Sequence, residues 1–228
     1  MEDMLMLPIF PLRCLGASML AFAAFTCAHA TEIETYSCRN GYFPSENKEL
    51  ELARVHGAEG SRIDLFVDEK GCPADTEACS DKAYLVPGDE VIVNKRQNGW
   101  ACVWYQGRRH ETVRWIRAEK LATVKVPTPL LADWVGTWRF GTNWIRISKV
   151  PNGALRVTGE ATYGSGPRIN VGDLQGEIEP RSERASMGKD ERFCVVDFVR
   201  VGRFLVASDN ANCGGANVRF DGVYVRRK

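Results

Sequence analysis

Three kinds of side chain in this sequence could do chemistry: cysteines, histidines and closely spaced carboxylates. Six cysteines, Cys38, Cys72, Cys79, Cys102, Cys194 and Cys213, follow residue 30. They could hold a metal, act as nucleophiles or pair as disulfides. Zinc sites need C-x-x-C or H-x-x-x-H spacing. Neither occurs, and beyond residue 30 the histidines are His56 and His110. A nucleophilic site needs a thiolate or serine beside a histidine that a carboxylate orients. His56 precedes Gly57 in a linker, and His110 sits in the turn Gly107-Arg108-Arg109-His110-Glu111, neither within a serine or cysteine motif. Glu177, Glu179 and Glu183 offer carboxylates for glycoside hydrolysis. Strand alternation places Glu177 and Glu179 on one face, however, where solvation accounts for them. The expectation is a protein that is not an enzyme, with no catalytic residue, no metal and no cofactor.

The cysteine count takes its meaning from the N-terminus. The apolar run from Cys14 to Ala28 follows Arg13 and ends in Ala28-His29-Ala30, a small-x-small cleavage pattern. Residues 1–30 therefore read as a signal peptide cut after Ala30. The run is shorter than the roughly 18 apolar residues of a transmembrane helix, and Ala24-Phe25-Thr26 before Cys27 is a poor lipoprotein signal. Export places the mature chain in an oxidising space, where an even set of cysteines pairs as disulfides. The expected location is the periplasm, with no integral membrane segment after signal removal.

Short strands must position these residues. Residues 31–57 read as an irregular arm: Ser45 and Glu49 give a loose helix start, and the apolar spacing supports one turn at most. From Ser61 the period becomes two. Ile63 to Val67, Ala83 to Val93, Trp100 to Tyr105 and Thr112 to Ile116 are separated by the turns Pro87-Gly88-Asp89, Asn98-Gly99 and Gln106-Gly107. Residues 58–126 thus read as a small barrel. The series Tyr84-Leu85-Val86-Pro87-Gly88-Asp89, Val91 to Val93, Asn98-Gly99-Trp100-Ala101-Cys102-Val103 and Trp115-Ile116-Arg117-Ala118-Glu119-Lys120-Leu121 resembles the bacterial SH3 domain. The resemblance implies an SH3-like barrel from a family often fused to wall peptidases, although no peptidase core accompanies it here.

Alternation assigns faces within that barrel. If Ala101 and Val103 point inward, Trp100, Cys102 and Trp104 point outward. Trp100, Trp104, Tyr105 and Trp115 are then the expected partner-binding groove, the alternative being that the arm or the core buries them. An outward Cys102 needs a partner beyond the barrel. Cys38 in the arm is the natural candidate, which leaves Cys72 and Cys79 to close the loop between them; connectivity among these four stays open at this point.

Residues 127–133 read as a linker with the boundary near Pro129, and residues 134–228 as a second β domain. Strands are expected at Trp144 to Val150, Ala154 to Tyr163, around Leu174 to Ile178, Phe193 to Val201, Arg203 to Ser208 and Ala216 to Arg226, after an opening strand near Trp138. Seven or eight antiparallel strands in chain order close most simply into an up-and-down barrel. The expected fold class is therefore all-β: an SH3-like small barrel followed by an antiparallel up-and-down, calycin-like β-barrel. Pairing across the Val201-Gly202 turn brings Cys194 opposite Asp209, within reach of Cys213. Gly214 and Gly215 are expected to take positive φ where the loop reverses, and Asp209 and Asn210 to cap loop amides. These four form a candidate ligand loop.

Gly136-Thr137-Trp138 resembles the first-strand motif of calycin barrels. The set from Leu205 through Asp209-Asn210, Cys213-Gly214-Gly215 and Phe220 to Tyr224, with Cys194 upstream, resembles a C-terminal domain of exported proteobacterial proteins grouped with the lysozyme-inhibitor-like periplasmic family. That resemblance implies a fold and an address. Residues 31–133 carry 14 Lys and Arg against 17 Asp and Glu, residues 134–228 carry 15 against 10. The cations of the second half are dispersed along strands rather than clustered, so no nucleic-acid partner is expected. The functional expectation is a periplasmic binding protein of inhibitor or immunity type, whose protein partner is a cell-wall lytic enzyme or a toxin. The alternatives are peptidoglycan recognition by the first barrel and small-ligand carriage by the second.

Overall fold

The period-two stretches build an antiparallel sheet of seven strands. These are β1 (Glu51–Val55), β2 (Ile63–Phe66), β3 (Ser80–Leu85), β4 (Glu90–Gln97), β5 (Trp100–Gln106), β6 (Glu111–Arg117) and β7 (Leu121–Thr123), in the order β3-β2-β6-β5-β4-β1-β7. The computed structural model describes residues 38–41, 43, 49–108, 110–151, 153–166 and 168–227. The expected signal peptide, its cleavage after Ala30 and much of the arm lie outside the described residues. As alternation requires, Ala101 and Val103 join Val55, Leu65, Val91, Val93 and Ile116 in the core on one face of the sheet. Glu51–Val55, expected within the irregular arm, is a strand instead. It pairs with β4 on one side and β7 on the other, and Leu52, Ala53 and Val55 are buried.

A helical turn, α1 (Leu131–Trp134), leads into the second sheet. Its strands are β8 (Gly136–Phe140), β9 (Asn143–Lys149), β10 (Leu155–Ser165), β11 (Arg168–Ile178), β12 (Arg184–Met187), β13 (Val196–Val201), β14 (Phe204–Asp209) and β15 (Gly222–Arg226). Each pairs with the next in sequence except at β11 and β12, and β15 returns to β8. The result is a nearly closed up-and-down barrel with one seam, between β11 and β12. The segment from Ala216 to Asp221, expected as strand, is loop. Its Phe220 amide donates to the Asp209 side chain, and Asn217 takes a φ of 63°, so this backbone bonds to side chains rather than to a neighbouring strand.

The barrel interior is a packed core of Trp134, Trp138, Ile145, Phe198, Phe220 and Tyr224 with smaller aliphatics. Trp138 donates its indole N–H to the Trp134 carbonyl (3.0 Å). The buried Arg200 guanidinium lies 4.3 Å from the Trp138 ring centroid and donates to the carbonyls of Phe204 (2.6 Å) and Gly202 (3.0 Å). Burial lowers the Arg200 pKa to about 10, which still leaves it charged at neutral pH, where the ring face and carbonyls replace its hydration.

The two sheets share a second core and lie within one compact unit, residues 34–228. Val199, Val201, Phe204, Val206 and Val223 on the outer face of the barrel pack against Leu52, Ile92, Trp104 and Val113 of the first sheet. Trp104 and Phe204 meet edge to face, with centroids 5.3 Å apart at 78°, a favoured aromatic geometry. Gly202 is constrained twice at this junction: it turns the β13–β14 hairpin at a φ of 56°, and a Cβ there would stand 2.9 Å from Leu52 Cδ2.

Three disulfides, Cys38–Cys102, Cys72–Cys79 and Cys194–Cys213, complete the frame and resolve the connectivity. In the chain-entropy picture the 19-residue separation of Cys194 and Cys213 is worth roughly 3 kcal/mol and the 64-residue separation of Cys38 and Cys102 about 4 kcal/mol. Three such bonds fit an oxidising, exported environment. Among the described residues no helix is long and apolar enough to cross a membrane.

Candidate functional site

The aromatics expected to form a groove are covered. Trp100, Trp104 and Trp115 are 6%, 1% and 2% exposed, so an open groove on them is corrected to a set of buried contacts. The reason is that the outward face of β5 and β6 is itself packed, by the barrel and by the Cys38 segment. Phe204 covers Trp104. Trp115 donates to Asp68 Oδ1 (3.0 Å), and the other Asp68 oxygen accepts the Cys38 amide (2.8 Å). Trp100 lies against Phe66, with centroids 4.7 Å apart, and under the Arg117 guanidinium at 3.9 Å. Tyr105 is half-buried and donates to Asp89 Oδ1 (3.2 Å); burial, then the Asp89 charge, raises its phenol pKa.

The Asp209 to Asp221 loop is held by its own side chains. The fully buried Asp209 carboxylate accepts the amides of Ala211 (2.7 Å) and Phe220 and pairs with Arg219 Nε at 2.9 Å. Asn210 Oδ1 accepts the Val195 amide (3.1 Å), and its Nδ2 donates to the carbonyls of Glu191 and Phe193. These capping roles match the expectation and leave little of either side chain for a ligand. Gly214 and Gly215 do not take positive φ; in this loop Ala211 and Asn217 do, both at 63°. The two glycines serve close approach instead. A Cβ on Gly214 would stand 2.6 Å from Gly172 Cα, and the Gly215 amide donates to the Val171 carbonyl of β11 (3.2 Å).

Beside this loop four segments converge on a cleft of about 600 Å³. The Cys38–Cys102 bond fixes one wall, where Asn40 Oδ1 accepts the Val113 amide (2.7 Å) and so seats the segment carrying Gly41 and Phe43 on β6. The β10–β11 hairpin supplies another. Its strands of 11 residues outrun the core, so Tyr163, which continues the inward parity of Val157 and Ala161, emerges at the barrel mouth 52% exposed. Phe140 and the Asn217 to Val223 segment complete the walls. Buried Asn143 ties them together by donating to the Arg219 carbonyl (3.2 Å) and accepting the Thr162 amide (3.0 Å).

The cleft is aromatic at its walls and charged within. Glu111 Oε2 accepts the Trp104 indole N–H at 2.7 Å. Arg219 bridges Asp209 and Asp221, reaching Asp221 Oδ2 at 2.6 Å, and the Asp209 amide donates to Asp221 Oδ1 at 2.6 Å. Burial pushes the Asp221 carboxyl above its usual range, helped by the Asp209 charge and opposed by the Asp209 amide and Arg219. Phe43, Glu111, Phe140, Tyr163, Arg219 and Asp221 were not singled out from the sequence.

The residues weighed for catalysis do not line this cleft. Glu177 and Glu179 line a separate cleft of about 520 Å³ at the β11–β12 seam, among Arg181, Arg184 and Lys189, and Glu177 pairs with Arg156 at 3.7 Å. Glu183 contacts Ser182 and Arg184. His56 and His110 are exposed. Comparisons with protein-family models, with curated proteins and with solved structures return no match.

Proposed function

We propose that this chain is an exported, periplasmic, non-enzymatic binding protein of inhibitor or immunity type, which engages another protein through the cleft beside the Asp209 to Asp221 loop. The observation that carries this reading is the construction of the cleft. Partly exposed Phe43 and Phe140 and half-exposed Tyr163, from three separate chain segments, border one concavity, and two disulfides fix the Cys38 segment and the Cys213 loop beside it. Rigid aromatics give large contact area at low ordering cost and dominate binding hot spots. Of the carboxylates weighed for catalysis, Glu177 and Glu183 are ion-paired on the surface, which suits a solvated scaffold better than acid–base work.

The discriminating experiment uses purified mature protein, titrated against soluble cell-wall lytic enzymes and separately spun down with insoluble peptidoglycan. The expected result is a discrete soluble complex and no co-sedimentation. Tyr163→Ala should weaken that complex by about tenfold or more, the range of a hot-spot truncation. Co-sedimentation with peptidoglycan that Tyr163→Ala leaves intact would replace this reading with wall recognition by the first sheet.

A further inference from the structure

We infer that the cleft receives a cationic side chain, a lysine or arginine of the bound protein, with its aliphatic stem along Phe43, Phe140 and Tyr163 and its charge between Glu111 and Asp221. The inference rests on reading the cleft as the protein-binding surface and adds the chemistry of the group that enters it.

Both sheets bring negative charge to this one concavity. Glu111 comes from the start of β6 and Asp221 from the segment just before β15. The buried Asp209 lies directly behind, its amide on Asp221. Among the described residues the charged side chains lining the cleft are Glu111, Asp221 and Arg219, and Arg219 is committed to the two aspartates. Glu111 has one oxygen on the Trp104 indole and no ion pair among the described residues. An anionic ligand would meet these carboxylates with no uncommitted cation among the described lining residues to offset them, and a purely apolar one would desolvate them for no return.

The walls select the shape of the cation. Aromatic faces attract positive charge through their quadrupole, while lysine and arginine lay apolar stems along such surfaces and keep their charge at the tip. An apolar wall ending on carboxylates is complementary to that side chain. A bare metal ion would leave the aromatic walls without a role.

The test is an amide and indole NMR titration of the whole mature chain with N-acetyl-lysine methylamide, and with its uncharged norleucine counterpart. Saturable shifts are expected at the Asn217 and Gly222 amides and the Trp104 indole, with the lysine probe binding about tenfold tighter than the norleucine probe. The Trp115 indole, bonded to Asp68 on another part of the sheet, should stay still. Glu111→Gln should lower lysine-probe affinity several-fold and leave the norleucine probe unchanged, whereas Tyr163→Ala, which removes an exposed ring, should weaken both. Equal affinity for the two probes would overturn the cationic inference and leave the cleft standing as an apolar binding surface. Absence of shifts at those resonances with either probe would overturn both.

Discussion

Replacing Trp104 with alanine is expected to lower the unfolding free energy by about 3–5 kcal/mol, the range for deleting a large buried aromatic, and to do so within one transition shared by both sheets. Trp104 is 1% exposed, belongs to β5 and packs edge-on against Phe204 of β14. Its loss opens a void between the sheets and leaves Glu111 without its indole donor. Denaturant unfolding read by both fluorescence and far-ultraviolet circular dichroism checks this. Coincident curves with a lower midpoint are expected, and an unchanged midpoint, or a first sheet that melts alone, would contradict a shared core. Tyr163→Ala serves as the control: at 52% exposed it should move stability by no more than about 0.5 kcal/mol.

A comparable loss, about 2–5 kcal/mol, is expected for Asp209→Ala, because two loop amides lose a buried acceptor at roughly 1–3 kcal/mol each. The Asp209 side chain is fully buried, pairs with Arg219 and accepts two loop amides. Without it, the Ala211 and Phe220 amides lose their acceptor, Arg219 keeps only Asp221, and the Asp209 to Asp221 loop loses much of its internal frame. The variant should therefore also shift the amide resonances of residues 217–222, which line the cleft. Asp221→Ala should cost far less, since Asp221 is partly exposed and its ionised form is already disfavoured by burial. Equal and small effects for the two aspartates would show that the loop is held by the Cys194–Cys213 bond alone.

The strands of the fold were legible where side chains obey one period. Val91 to Val93, Trp100 to Tyr105 and the β13–β14 hairpin alternate or run apolar between turn residues, and the chain-order meander follows from that spacing. Short or polar strands escaped. β1 has only five residues, and β12 sits in a charged stretch whose pairing with β13 depends on the barrel being nearly closed. The burial of Trp104 and Trp115 left a trace that local alternation does not decode. Val199, Val201, Phe204 and Val206 make β13 and β14 apolar on both faces, the mark of strands covered on both sides, and an outer apolar face on one sheet requires a partner face elsewhere.

The candidate site was less legible because it is assembled from distant segments. The sequence favours Cys38 for Cys102 while leaving four cysteines open, and its hairpin places Cys194 near Cys213, yet nothing local to Phe43, Phe140 or Tyr163 announces that they meet. Asp209 and Asn210 were singled out as cap or ligand, and they cap. The motif Arg219-x-Asp221 carried the only local hint, since a cation between two aspartates of one loop suggests a fixed network. Gly214 and Gly215 illustrate a different limit: a glycine pair signals freedom of φ or closeness of approach equally well, and only the position of Gly172 on β11 decides for closeness.

The central claim is that partner contact runs through the cleft at the junction of the sheets. The most direct measurement places the photo-crosslinking residue p-benzoylphenylalanine at position 163 in the cleft or, for comparison, at position 84 on β3. Tyr84 is also exposed, at 43%, but belongs to the edge of the other sheet. With the protein expressed in its own cells, illumination should give a discrete protein adduct from position 163 that Glu111→Gln diminishes, and none from position 84. A discrete adduct from position 84 with none from position 163 would contradict the account and move the binding surface to the β3 edge.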